Sequence, residues 1–174
     1  MTVPIPATSL HPALPPITAE RPRDAAAVDA LIDAAFGPGR LVKAAERLRE
    51  GRQPLLPLSF TAWDGETLAG CVRQWSAHVG TRPVIFLGPI VVEPDWRRHG
   101  LGAALIERAC AAAWADGHEV ILLVGDAPFF GPLGFEMVPA GCVHLPGPVD
   151  PRRVLAKGPT TGVAASLHGI VRPG

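Results

Sequence analysis

The chain has 174 residues, with 16 Lys plus Arg against 16 Asp plus Glu, three cysteines and six histidines. That length suits one domain, and the even charge leaves no basic excess for a polyanionic backbone, so nucleic acid is not an expected partner. Cys71, Cys110 and Cys142 make no C-x-x-C and the histidines no H-x-x-x-H, which argues against a disulfide framework or a metal site and for a reducing compartment.

The first 16 residues carry five prolines and lack both a basic start and an unbroken apolar run. They read as an extended Pro-rich arm rather than a signal peptide, with a single domain expected over residues 17–174. Ile17–Arg21 suits a short strand. Over Asp24–Phe36, apolar Val28, Leu31, Ile32 and Ala35 mark one helical face, which Gly37-Pro38-Gly39 ends. A second helix is expected over Leu41–Glu50, closed by Gly51. Leu58–Trp63 and Thr67–Ser76 form a hairpin about Asp64-Gly65-Glu66. Val84–Val92 is a buried strand made irregular by Gly88-Pro89, since proline removes a ladder donor and glycine marks bulges.

From Gly100 to Asp116 a stripe of Leu101, Leu105, Ala109, Ala112 and Ala113 predicts a helix stopped by Gly117. Val120–Val124 is a strand, Ala127–Phe130 one helical turn, and Gly134–Val138, Arg153–Ala156 and Val163–Ile170 are further strands. No apolar stretch is long enough to span a bilayer, so a membrane is not an expected partner and the protein is expected in the cytoplasm.

The stretch with chemical content is Arg97-Arg98-His99-Gly100-Leu101-Gly102. A glycine-rich loop between a strand and a helix exposes the helix's unpaired N–H groups and the positive end of its dipole, the arrangement that binds anions. No Gly-Lys-Ser/Thr follows, which rules out a Walker A loop. A dinucleotide fingerprint fits poorly, because Leu105 replaces the third glycine and seven residues separate Val92 from Gly100.

The six residues resemble the Arg/Gln-x-x-Gly-x-Gly/Ala signature of the GNAT superfamily of N-acetyltransferases. Leu87-Gly88-Pro89-Ile90-Val91-Val92-Glu93-Pro94-Asp95-Trp96 is similar to the family's strand and turn before that loop. Gly125-Asp126-Ala127-Pro128-Phe129-Phe130-Gly131-Pro132-Leu133-Gly134-Phe135 is similar to the segment after the next strand. The resemblance covers roughly residues 17–140 in order. It implies an α/β fold with a mixed, mostly antiparallel central sheet flanked by helices and splayed at the acyl-CoA site.

It also implies acetyl-CoA, or a related acyl-CoA, as co-substrate, without a metal. By carry-over, backbone amides of Arg98, His99, Gly100, Leu101, Gly102 and Ala103 hold the pyrophosphate, with the charges of Arg97 and Arg98 beside it, and main-chain groups of Ile90, Val91 and Val92 pair with the pantetheine arm. Asp126, Phe129 and Phe130 contribute from the later segment, although Asp126 equally suits capping the turn at Ala127. The expected reaction is acetyl transfer to a primary amine on a small molecule or peptide, with a homodimer left open.

Bland readings suit other residues. Glu93, before a proline in a turn, reads as a surface residue, and Arg73, Gln74, Trp75 and His78 as structural. Cys71 and Cys110 read as packing groups with no histidine beside them to activate a thiol. The departure from the family is Phe130. Many members carry there a tyrosine that protonates the leaving thiolate, and this chain has no tyrosine. A thiol of pKa about 8.5 tolerates leaving unaided. The missing hydroxyl nevertheless keeps a second reading open, a non-catalytic acyl-CoA-binding or sensing protein on the same fold.

Overall fold

The computed structural model describes residues 13–39 and 43–174. The proline-rich arm therefore lies outside the described residues up to residue 12, as does the start of the second expected helix, while residues 13–16 have no helix or strand. The strands are β1 (Ile17–Ala19), β2 (Phe60–Asp64), β3 (Thr67–Val79), β4 (Arg82–Val92), β5 (Ile121–Val124), β6 (Glu136–Met137), β7 (Val143–His144), β8 (Val154–Lys157) and β9 (Gly169–Pro173). The helices are α1 (Ala25–Phe36), α2 (Ala44–Arg47), α3 (Leu101–Ala115) and α4 (Ala127–Phe130).

The sheet runs β1-β2-β3-β4-β5-β8-β6, with β9 joining the end of β3 and β7 joining β9. Two-residue periodicity divides its side chains between two faces. On one, Val72, Ile85, Leu87, Ile121 and Leu123 pack beneath Leu101, Leu105, Ile106 and Ala109 of α3. On the other, Trp75, Phe86 and Leu122 pack with Leu48, Val138, Val154 and Leu167. Helix α1 buries Val28, Leu31 and Ile32 against Leu68, Cys71 and Val91. The fold is thus mixed α/β, mostly antiparallel and flanked by helices.

Only β4 and β5 of the main sheet path run parallel, and α3 is their crossover. Its end has the expected glycine: Gly117 adopts φ +88, and His118 N–H reaches back to Ala113 O at 3.0 Å, which satisfies a carbonyl the helix leaves open.

Three expectations are corrected, and one strand is added. The described part of the second helix is the single turn Ala44–Arg47, because Lys43 is extended (ψ 145) and the chain turns after Arg47, reaching φ +67 at Gly51. The strand expected at Gly134–Val138 contracts to Glu136–Met137, since Gly134 (φ +85) closes a short 3-10 turn. Val163–Ile170 is not a strand: Ala164–Ser166 forms a 3-10 turn and the strand begins at Gly169, where it finds β3 and β7 as partners. Val143–His144, a strand in the structure, has no counterpart in the periodicity.

The irregularity at Gly88-Pro89 is present and organises the middle of the sheet. Val72 pairs with Ile90 and Gln74 with Leu87, so Gly88 and Pro89 together oppose Arg73 in a bulge. Strands β4 and β5 pair at Ile85↔Ile121 and Phe86↔Leu122, and the paired register ends there. Beyond Phe86 the two strands diverge.

Candidate active site

The divergence opens a cleft of about 810 Å³. One wall is β4 from Leu87 to Ile90 with Val92, and the loop and first helical turn that follow add Trp96, Arg97, Arg98, Gly100, Gly102 and Ala103. Opposite stand Leu123 to Asp126 with Phe129 and Phe130. The cleft also reaches the other face of the sheet, where Ile32, Phe36, Lys43 to Glu46, Arg49, Pro148 to Asp150 and Arg153 border it.

The loop's geometry follows from its residues. Arg98 takes φ +66, the one non-glycine positive φ among the described residues, and Gly100 takes φ +85 as the residue before α3. The first intrahelical bond runs from Ala104 N–H to Gly100 O at 3.0 Å. The N–H groups of Leu101, Gly102 and Ala103 precede it and lie at the positive end of the helix dipole. A β-carbon on Gly102 would sit 3.5 Å from Phe129 Cζ and 3.7 Å from Val92 Cγ2, which places this glycine against both walls. Arg97 folds back, its Nε donating to Val92 O at 3.0 Å.

The bulge also changes which backbone groups face the opening. Ile85 N–H bonds Val120 O across to β5, whereas past the bulge Glu93 N–H bonds Ala69 O on the β3 side. Alternation then turns the N–H and C=O of Ile90 and Val92 toward the cleft and those of Val91 toward β3. Trp75 braces the bulge by donating Nε1–H to Gly88 O at 2.7 Å.

Three of the residues singled out from sequence lie away from the cleft lining. The Val91 side chain is buried under α1. Leu101 is fully buried in the core beneath α3, and His99 meets Trp96 edge-on at 6.2 Å between ring centres. The backbone N–H of Leu101 is still among the amides that precede the first intrahelical bond. Asp126 does not cap α4 with its side chain: its backbone oxygen accepts from Phe129 and Phe130, while its carboxylate pairs with Arg153 at 3.2 Å. Phe129 is 48% exposed at the cleft edge, whereas Phe130 is buried, edge-on to both Phe129 and Phe135. Its ring lies where any side chain on Gly125 would have to go.

Residues read as structural are so placed. Arg73 holds Glu20 and Asp29, and Gln74 donates to Leu58 O and Ala109 O, tying α3 to the sheet. Burial pushes the Cys71 thiol up to about 12 and the Cys110 thiol up to about 11. Both are therefore expected to resist iodoacetamide at pH 8 in the folded protein. Mass spectrometry should find one adduct, on half-buried Cys142, and three after unfolding. Two or more adducts on the native protein would contradict this packing.

Sequence reasoning missed the far wall. Glu46 and Arg49 form an ion pair at 3.3 Å, with side chains only 19% and 11% exposed. Asp150 accepts three hydrogen bonds from the Arg152 side chain and one from its N–H, and these hold its carboxyl below the usual range.

A mixed sheet opened between two parallel strands, with a helix N-terminus at the opening, is a fold shared with acetyltransferases. It superposes on a GNAT family N-acetyltransferase (YhbS) from Escherichia coli in complex with CoA, with TM-score 0.77 and 23% identity over 94% of this chain and 92% of that one. A GNAT family acetyltransferase from Brucella melitensis in complex with acetyl-CoA gives TM-score 0.62 and 21% identity over 83% and 87%. The chain belongs to the acetyltransferase (GNAT) family, whose pattern residues 25–135 match. An uncharacterized N-acetyltransferase of Methanocaldococcus jannaschii is 33% identical over 72 residues, 38% of this chain and 32% of that protein. The match thus spans about a third of that relative's length. No helix among the described residues is long and apolar enough to cross a membrane.

Proposed function

We propose that the protein transfers an acetyl group from acetyl-CoA to a primary amine by direct attack on the thioester. The observation that carries this reading is the cleft itself, a bulged strand with free-facing backbone groups that leads straight into an exposed helix N-terminus. The amides of Arg98 to Ala103 suit the pyrophosphate. The arm then runs antiparallel along β4, where Val92 N–H and the N–H and C=O of Ile90 suit its amides, and its sulfur end arrives near Gly88. Binding of CoA by the E. coli relative and of acetyl-CoA by the B. melitensis relative supports the choice of ligand.

Because the cleft opens on both faces of the sheet, acyl donor and amine have separate approaches. The donor enters past α3 and the amine past α2 and Pro148 to Arg153. Glu46 and Asp150 line that second mouth, each paired to an arginine, Arg49 and Arg152 respectively. Attack requires the neutral amine, so its proton leaves first. The nitrogen lone pair then forms the C–N bond, the C–S bond breaks with its electron pair departing on sulfur, and the nitrogen gives up a second proton to leave the neutral amide.

The second reading, acyl-CoA binding without turnover, is favoured by one observation: Phe130 offers no hydroxyl where many relatives carry tyrosine, and the chain has none to substitute. An acetylation screen across small amines, amino acids, aminoglycosides and lysine peptides separates the two. Acetyl transfer is expected to release CoA with formation of the acetylated amine for at least one class. Binding of acetyl-CoA without product across the panel would favour the second reading. Given turnover, Phe130→Tyr is expected to leave the fold intact and raise the rate below the thiol pKa of about 8.5 by less than the ~10²-fold of a well-placed acid. The same panel at pH 7 and 9 checks it.

A further inference from the structure

A thiolate leaving without a proton donor needs another source of stabilisation, and the wall that sequence reasoning missed holds one. Arg49 lies at the apex of the splay. Its guanidinium sits 5.3 Å from the ring centre of Phe86, the last β4 residue paired to β5. Its Nη2 comes within 3.1 Å of where a β-carbon on Gly88 would stand. Glu46 engages the other nitrogen, Nη1, at 3.3 Å, which turns Nη2 toward Gly88. The Arg49 side chain is only 11% exposed, so its charge is poorly screened by water.

We infer that Arg49 is a catalytic residue of this acetyltransferase, its guanidinium stabilising the negative charge that gathers on the CoA sulfur as the C–S bond breaks. The inference rests on the proposed function, since that reading brings the sulfur end of the arm to Gly88. A fixed cation aimed at developing charge in a water-poor site lowers the barrier without moving a proton, so it fills the role left open by Phe130. The amine's proton goes to solvent, and CoA departs as thiolate to be protonated afterwards. Glycine at position 88 leaves room for Nη2, because a β-carbon there would crowd it.

Other charged side chains border the same cleft. Lys43 and Glu46 stand on the α2 side, Arg97 and Arg98 at the phosphate end, and Asp126, Asp150 and Arg153 on the side of β5 and β8. Of these, Asp126 pairs with Arg153, and Asp150 pairs with Arg152 outside the lining. Arg49 alone among them lies against both Gly88 and Phe86.

The test needs no acceptor amine. The thiol of bound CoA is titrated by thiolate ultraviolet absorbance between pH 6 and 9, in a Cys142→Ser background. Cys71 and Cys110, at about 12 and about 11, stay protonated in that window. Bound CoA is expected to titrate at least roughly one unit below free CoA titrated alongside it, about a tenfold gain in thiolate at a given pH. In Arg49→Gln that depression should vanish while affinity for CoA at pH 6 stays within about threefold, and Arg49→Lys should keep part of it. A wild-type bound thiol at or above its ordinary value overturns the inference, whether or not the variants fold. So does a depression that survives in Arg49→Gln. Failure of CoA to bind at all removes the proposed function itself, a result distinguishable from the others.

Discussion

Replacing Arg73 by methionine is expected to cost about 3–5 kcal/mol of stability, the usual consequence of removing one partner from a buried ion pair. Arg73 donates Nε to Glu20 Oε2 at 2.9 Å, Nη2 to Glu20 Oε1 at 2.6 Å and Nη1 to Asp29 at 2.6 Å. The Glu20 side chain has no solvent exposure and that of Arg73 only 8%, so the substitution would strand a carboxylate without water. Burial alone would lower the Arg73 pKa, but hydrogen bonds to Glu20 and Asp29 outweigh it and the net direction is up, which keeps the pair ionised. Arg73 also stands opposite Gly88 and Pro89, so its loss should loosen the bulge as well. Urea denaturation checks the cost. The double variant Glu20→Gln with Arg73→Met should recover part of it, because no bare charge is left behind. A loss under about 1 kcal/mol in the single variant would contradict the buried network.

The second large effect is on ligand binding. Acetyl-CoA at about 100 times its dissociation constant should add roughly 2.7 kcal/mol, a rise of about 5–10 °C in Tm for a chain of this length. Gly102→Glu is expected to abolish that rise. Gly102 is inside α3 with ordinary helical geometry, and a β-carbon there has van der Waals room beside Phe129 and Val92. Glutamate is also a better helix former than glycine by roughly 0.5–1 kcal/mol. The unliganded variant should therefore melt near or above wild type, with affinity for acetyl-CoA reduced at least ~100-fold by bulk and negative charge at the phosphate position. A full shift in Gly102→Glu would place the ligand elsewhere.

The half of the cleft that the sequence announces is the half built from local chemistry. Gly88-Pro89 forces a bulge because one residue lacks a donor and the other lacks a side chain. Gly100 must precede α3 because the backbone there is left-handed, and the apolar stripe from Leu101 to Ala113 fixes which face of α3 is buried. All of this lies within one contiguous strand-loop-helix. The other half depends on contacts between distant segments. Arg49 sits in a short run with no chemical signature, and it reaches Gly88 only because Leu48 packs on the opposite face of the sheet from α3. Pro148 to Arg153 form no extended periodic element, so nothing local places them at the mouth. The same physics explains the shifted tail. Val163–Ile170 is apolar enough for a strand, yet pairing partners exist only for the residues from Gly169 onward.

Acetyl-CoA is expected to lie between β4 and β5 with its phosphates on the start of α3, and a crystal structure of the acetyl-CoA complex checks that placement. Pyrophosphate oxygens should lie about 3 Å from the amides between Arg98 and Ala103, with pantetheine amides bonded to Ile90 and Val92. The thioester should end beside Gly88, within reach of Arg49. A ligand bound outside this cleft, or one lying in it with its thioester at the α3 end, would rule that placement out.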